Sequence, residues 1–313
     1  MRTSLVRRLA ALGAFVCLEA IPGRPALSQA WIAGPGTGTV SLSYQVSKVR
    51  NHLLSGDLTG FRRPGTADGR WDLGRITGQS LYLNASYVPL ENLQLQANMA
   101  YVGGTYKGTF PESAELDDGK FHGAFQDASL GASYMFYLAG FGLTPGISYS
   151  FPTHEYAHHG HVAPGRGLTS FTAQAFLGRS LDPWISGAFA QLSFAHSFVE
   201  DVDQLGLDSD RYGIDLGYSI TPEIGIRSYF SYFEVKNGID WYSTDFAGDW
   251  NFHDAAAASV VRRAGGSLSY QFDASKGVSL DIGGTVSGVN THDGIYYTLG
   301  TSWRFVGPSF GER

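Results

Sequence analysis

From residue 38 onward the chain alternates apolar and polar positions with a period of two, the spacing of a strand with one greasy and one wet face. Val40, Leu42, Tyr44 and Val46 share one face, and Thr39, Ser41, Ser43 and Gln45 share the other. Leu81, Leu83, Ala85 and Tyr87 repeat the pattern against Ser80, Tyr82, Asn84 and Ser86, as do Leu93, Leu95, Ala97, Met99 and Tyr101 against Gln94, Gln96 and Asn98. Further segments follow near 125–137, 141–151, 168–179, 185–199, 210–220, 224–235, 261–272, 277–289 and 294–305. Most run ~10 to 15 residues, longer than the ~5 to 6 of an ordinary strand and suited to a tilted membrane strand.

The connections alternate in length. Short turns are expected at Pro89–Asn92, Leu138–Gly140, Leu181–Pro183, Thr221–Pro222 and Asp273–Gly277. Polar stretches lie at about 50–77, 107–124, 152–167, 200–209 and 236–260, with a brief one at 290–293. Short turns on one side and long loops on the other are the outer-membrane pattern. The spacing therefore predicts an all-β protein, a transmembrane antiparallel up-and-down β-barrel of twelve strands, as a single domain over residues 31–313. Pro145 sits inside an alternating stretch and lacks a ladder donor, so the fifth strand is expected to start late or to bulge there.

The polar face decides what the barrel sits in. A soluble barrel must carry charge on that face, and here it is mostly Ser, Gly, Thr, Gln, Asn and Tyr, which suits a lumen. The apolar face ends repeatedly in rings (Tyr87, Tyr101, Phe136, Phe151, Trp184, Phe198, Tyr218, Phe272, Trp303, Phe305), as interfacial girdles require. Composition agrees: charged residues are only 16% of the chain against ~25% in soluble domains, and 41 of 313 residues are Gly. Arg2, Arg7 and Arg8, the apolar run Leu9–Leu18 and the small-x-small site Ser28-Gln29-Ala30 read as a signal peptide over residues 1–30. Its removal leaves 18 of 22 basic and 27 of 28 acidic residues, a formal charge of about −9 that argues against a nucleic-acid partner. The only cysteine, Cys17, lies in that leader, so no disulfide is expected. The expected location is the outer membrane, and the expected partners are its lipid, the barrel-insertion machinery and a small-molecule solute; no cofactor is expected.

Strand parity places Arg211, Asp215, Arg227, Arg263, Asp281 and Arg304 on the inner face, because charge facing lipid would cost ~2 to 4 kcal/mol at midplane. A tight turn at Thr221-Pro222 would bring Asp215 to Arg227, and the short loop near Thr291 would bring Asp281 to Arg304. These pairs either simply rigidify the lumen, or leave Arg211 and Arg263 to form a constriction that biases solutes. Tyr82, Phe189, Tyr229, Phe233 and Tyr296 offer an aromatic path along the same face. Four imidazoles gather in one external loop, at His154, His158, His159 and His161, with Glu155 among them. They could bind Zn or Cu, although the spacing matches no defined ligand motif, and a solvated loop folding over the mouth is the other reading. His196 and Ser197 cannot form a catalytic dyad, since neighbours in a strand face opposite ways, and an enzyme is not expected.

Several segments carry a family likeness: Phe151-Pro152-Thr153, His161 to Leu168, Leu181-Asp182-Pro183, Phe198-Val199-Glu200-Asp201, Gly238-Ile239-Asp240-Trp241 and Phe252-His253-Asp254. With the closing Tyr297, Leu299, Thr301 and Trp303-Arg304-Phe305, the chain resembles the bacterial outer-membrane proteins grouped as transporters of the meta-pathway of phenol degradation. The resemblance implies a β-barrel and a role in uptake of aromatic or other hydrophobic compounds, and it carries over no binding residue. Barrel chains of this kind commonly end on an aromatic; here Phe305 is followed by eight residues, so either Phe305 is read internally or Phe310 extends the last strand.

Overall fold

The computed structural model describes residues 30–53, 70–109, 111, 113–202, 205–239 and 256–310. The leader through Gln29 with Cys17, the stretch Asp240-Trp241 and Phe252-His253-Asp254 lie outside the described residues. In chain order the strands are β1 (Thr37–Leu53), β2 (Arg70–Leu90), β3 (Leu93–Lys107), β4 (Phe121–Phe125), β5 (Ala128–Tyr134), β6 (Phe136–Leu138), β7 (Phe141–Phe151), β8 (Ser170–Ser180) and β9 (Ala188–Val199). The remainder are β10 (Ser209–Ser219), β11 (Ile224–Val235), β12 (Val260–Asp273), β13 (Lys276–Val289) and β14 (Thr291–Val306). They make twelve staves, because β4, β5 and β6 are successive pieces of one: β4 and β5 both pair with β3, and β5 and β6 both pair with β7. Every pairing around the wall is antiparallel, and β1 closes it by pairing with both β2 and β14.

Alternation sets the two faces as the sequence predicts. Leu216 is 52% exposed and its neighbour Asp215 3%; Leu299 is 58% exposed and its neighbour Thr298 2%. Apolar side chains thus cover the outside and polar ones fill the inside, the reverse of a soluble barrel and the arrangement that lipid demands. Tyr87, Phe136, Trp184, Tyr218, Phe272, Trp303 and Phe305 stand at the short-turn rim. The chain is an outer-membrane β-barrel.

Local corrections concern the edges. The β1–β2 hairpin climbs further than its alternation, with β1 reaching Leu53 and β2 starting at Arg70, because Gly78, Thr77 and Ile76 are held by ladders to both β1 and β3. Pro145 causes neither a late start nor a bulge: β7 begins at Phe141, and Pro145 sits opposite Ala175 in unbroken register with β8. On the other side the ladder lapses between the pairs Ser133↔Gly146 and Phe136↔Leu143, which is where a missing N–H is absorbed. The Leu181–Pro183 turn is longer than expected, since Trp184 and Ile185 both donate to the Leu181 carbonyl and β9 starts only at Ala188. The last strand ends at Val306, so Phe310 does not extend it. The tail instead folds back across the rim, with the Gly307 amide donating to Gly36 O, the Phe310 amide to Pro89 O and the Tyr87 hydroxyl to Pro308 O.

Candidate solute pathway

Inside the barrel, β10 to β14 present a connected set of charges and phenols. Arg227 Nη2 lies 3.5 Å from Asp215 Oδ1, both side chains almost fully buried. The pair is made diagonally, because Asp215 stands directly opposite Tyr229 and Arg227 opposite Gly217. The Arg227 guanidinium sits 5.3 Å from the Tyr229 ring centre, and the Tyr229 hydroxyl donates to Asp281 Oδ1 at 3.1 Å and meets the Tyr296 hydroxyl at 2.7 Å. Asp215, Arg227, Tyr229, Asp281 and Tyr296 therefore form one network across four strands. The wall makes room for it with glycine: a Cβ at Gly283 would lie 2.2 Å from the Tyr229 hydroxyl and 2.5 Å from that of Tyr296.

Asp281 does not meet Arg304. The β13–β14 ladder ends at Gly284↔Ile295 and sets Asp281 opposite Thr298, while Arg304 faces Thr39 near the short-turn rim. Arg211 lies over the Phe233 ring at 5.2 Å, and Arg263 is exposed to the lumen space. Tyr82 reaches Gln45 Oε1, and Gln45 donates in turn to Thr298.

The opposite sector holds a feature that the sequence pattern does not signal. Residues 30–32 run inside the barrel at its short-turn end, against Met135 and the strands β7, β8 and β9. Ala30 is completely buried; its amide donates to Gln191 Oε1 at 2.9 Å and its carbonyl accepts from Thr144 Oγ1 at 2.9 Å. Trp31 packs edge-on against Phe189, and the Ile32 amide donates to Met135 Sδ. Gly142 and Gly178 form the seat, since a Cβ on either would lie within about 2.6 Å of Ala30 or the Trp31 ring. The segment obstructs that part of the lumen. A faint sequence signal exists in retrospect: Gly142, Thr144, Gly178 and Gln191 are small or neutral polar residues on inner positions of neighbouring strands.

Loops roof the other end. One apolar cluster joins Ile76 and Tyr106 of the wall to Leu116 and Val162 of two loops. A second joins Val199 and Val235 to Leu207, Ile239 and Ala256. The imidazoles of the 152–169 loop do not share a site. His161 is buried with its Nδ1 2.9 Å from Asp117 Oδ2 and is stacked between Tyr106 and His52, which in turn stacks on His292. His158 and His159 pack on each other, and His154 contacts Thr153 and Tyr156. Among the described residues no group of three or more His, Cys, Asp or Glu is placed to hold a metal. Tyr156 donates to Asp127 Oδ1 at 2.5 Å and accepts from the Gly167 amide; burial pushes its phenol well above the ordinary value, and Asp127 adds to the shift.

No family model and no curated protein matches the chain. Solved structures do resemble it. The COG4313 outer membrane channel from Pseudomonas putida F1 aligns over 92% of this chain and 100% of its own at 16% identity, with a TM-score of 0.64. The NanC porin aligns over 84% and 98% at 10% identity, with a TM-score of 0.48. A monoaromatic hydrocarbon channel, the TodX deltaS2 mutant, aligns over 87% and 91% at 11% identity, with a TM-score of 0.46. At 16% identity, the first of these likenesses shows a shared barrel fold.

Proposed function

We propose that the protein is a narrow, passive outer-membrane channel for small solutes, aromatic or hydrophobic ones among them. The observation that carries this is the lumen itself: a polar interior with fixed charge, narrowed at one end by residues 30–32 and roofed at the other by loops. Twelve staves enclose more space than a side-chain-filled barrel of eight and less than a sixteen-stranded porin, which fits selective passage over wide diffusion. Phe189, Phe233, Tyr82, Tyr229 and Tyr296 supply the aromatic surface of the route, and Arg211 and Arg263 its polar filter. The resemblance to transporters of the meta-pathway of phenol degradation, and the fold shared with the COG4313 outer membrane channel, point the same way.

The test is single-channel conductance and solute flux of the reconstituted barrel, intact and with Trp31→Ala. Conductance that rises in the variant supports a channel narrowed from within. A barrel that inserts, shows heat-modifiable gel mobility and passes neither ions nor solutes in either form overturns the proposal.

A further inference from the structure

The outer surface is not uniform. Between β7 and β11 the lipid-facing wall is hollowed into a groove of about 420 Å³, within the size of ordinary small-molecule sites, floored by Ala175 and walled by Leu177, Leu192, Ile214 and Phe230. Phe194, Tyr212 and Tyr232 line its end nearer the long loops, consecutive neighbours across β9, β10 and β11. The next partner along that row is Arg262, whose guanidinium sits 5.4 Å from the Tyr232 ring centre and donates to Ser287.

One row further toward the loops, Asp210 faces His196 and Glu234. Asp210 accepts from Lys236 at 2.5 Å and lies 2.6 Å from His196 Nδ1. The Asp210 carboxylate lies beneath the Lys236 ammonium, 9% exposed against 44%, and the Tyr232 hydroxyl donates to Glu234. What faces outward above the groove is therefore an ammonium and a guanidinium held in place from behind, at the level where apolar wall gives way to water. Aromatic rings at that level suit the membrane–water interface, and fixed cations there attract anionic headgroups.

We propose that this face is a binding site for a phosphate-bearing acyl lipid of the outer leaflet, with one chain in the Ala175 groove and the phosphate at Lys236 and Arg262. A lysine and an arginine are the ordinary phosphate binders, as a point charge and a planar fork. The site is independent of the lumen and of whether the barrel conducts.

The experiment uses the purified, folded barrel in detergent, with diphosphorylated lipid A as the probe and its dephosphorylated form as the control. Two readouts are taken: the temperature at which the heat-modifiable gel band shifts, and the phosphorus retained per barrel. The phosphorylated lipid is expected to raise the shift temperature above that reached with the control. Lys236→Glu with Arg262→Glu should cut retained phosphorus about tenfold or more, a difference of ~1.4 kcal/mol or greater. Ala175→Trp, which fills the groove and leaves the cations intact, should lower the phosphorus retained from the phosphorylated lipid and the shift temperature reached with either lipid. Equal protection by the dephosphorylated lipid, or full retention by the double variant, overturns the proposal, as does a cross-linked dimer that buries the groove and excludes lipid.

Discussion

The lumen walls of β10–β14 and of β7–β9 both bury polar side chains, but the first buries ions and the second buries neutral donors and acceptors. In the first wall one ion pair and two phenol hydrogen bonds join Arg227, Asp215, Tyr229, Asp281 and Tyr296 across the strands. In the second, Thr144 and Gln191 meet a separate piece of the chain, Ala30, through two hydrogen bonds that water could replace. Ions in a low-dielectric wall cannot be parted cheaply, whereas a neutral socket can be emptied. The first contact is costly to part, and the second is held by bonds that water can replace.

The largest break in that comparison is expected from Arg227→Ala. Taking one partner from a buried ion pair costs about 3–5 kcal/mol, and the joint change Asp215→Asn with Arg227→Gln should cost less than the single one. Urea unfolding of the reconstituted barrel checks this, and a double variant as unstable as Arg227→Ala would deny that the pair acts as a unit. Next in size is a pair of glycine changes. Gly283→Val drives a side chain into Tyr229 and Tyr296 and should lose about 1–3 kcal/mol through overpacking. Gly178→Val instead collides with Ala30 and Trp31, so it should eject the segment and raise conductance with little change in barrel stability.

Smaller still, Thr144→Val and Gln191→Leu should each remove about 0.5–1.5 kcal/mol from the seating of the segment, read as protease access to Trp31. The least effect is a matter of pH outside the lumen. The Thr169 amide and hydroxyl both donate to Glu200 and hold its carboxyl below the ordinary value. A depressed carboxyl stabilises above its unfolded value and ceases to as pH falls through the folded one. The protection factor of the Thr169 amide should therefore fall only in acid, and Glu200→Gln should show the lowered protection at neutral pH.

Period-two alternation made the staves and their facing legible, and parity placed Arg227, Asp215 and Asp281 inside, because lipid tolerates neither an open ladder nor a charge. Register was harder. A partner shifts by one residue for every residue in the turn, so reading the β13–β14 connection as the four residues 290–293 sent Asp281 toward Arg304, whereas the ladder sets it opposite Thr298. Residues 30–32 were illegible for another reason. They have no periodicity, and their seat is assembled from Met135, Thr144, Gly178 and Gln191, over a hundred positions away. The four loop histidines are close in sequence but only His158 and His159 meet, because a loop, unlike a strand, fixes no spacing between side chains.

The seam between β1 and β14 joins Thr37↔Val306 at one end to Leu53↔Thr291 at the other. The first strand made therefore waits for the last, and until β14 emerges two ladders stand open at once. Closing a loop of that length costs entropy that local contacts cannot return early, so assembly runs late and all together. A chain cut short anywhere before Thr291 is not a smaller barrel but a sheet with two raw edges, a substrate for proteases and for its own copies.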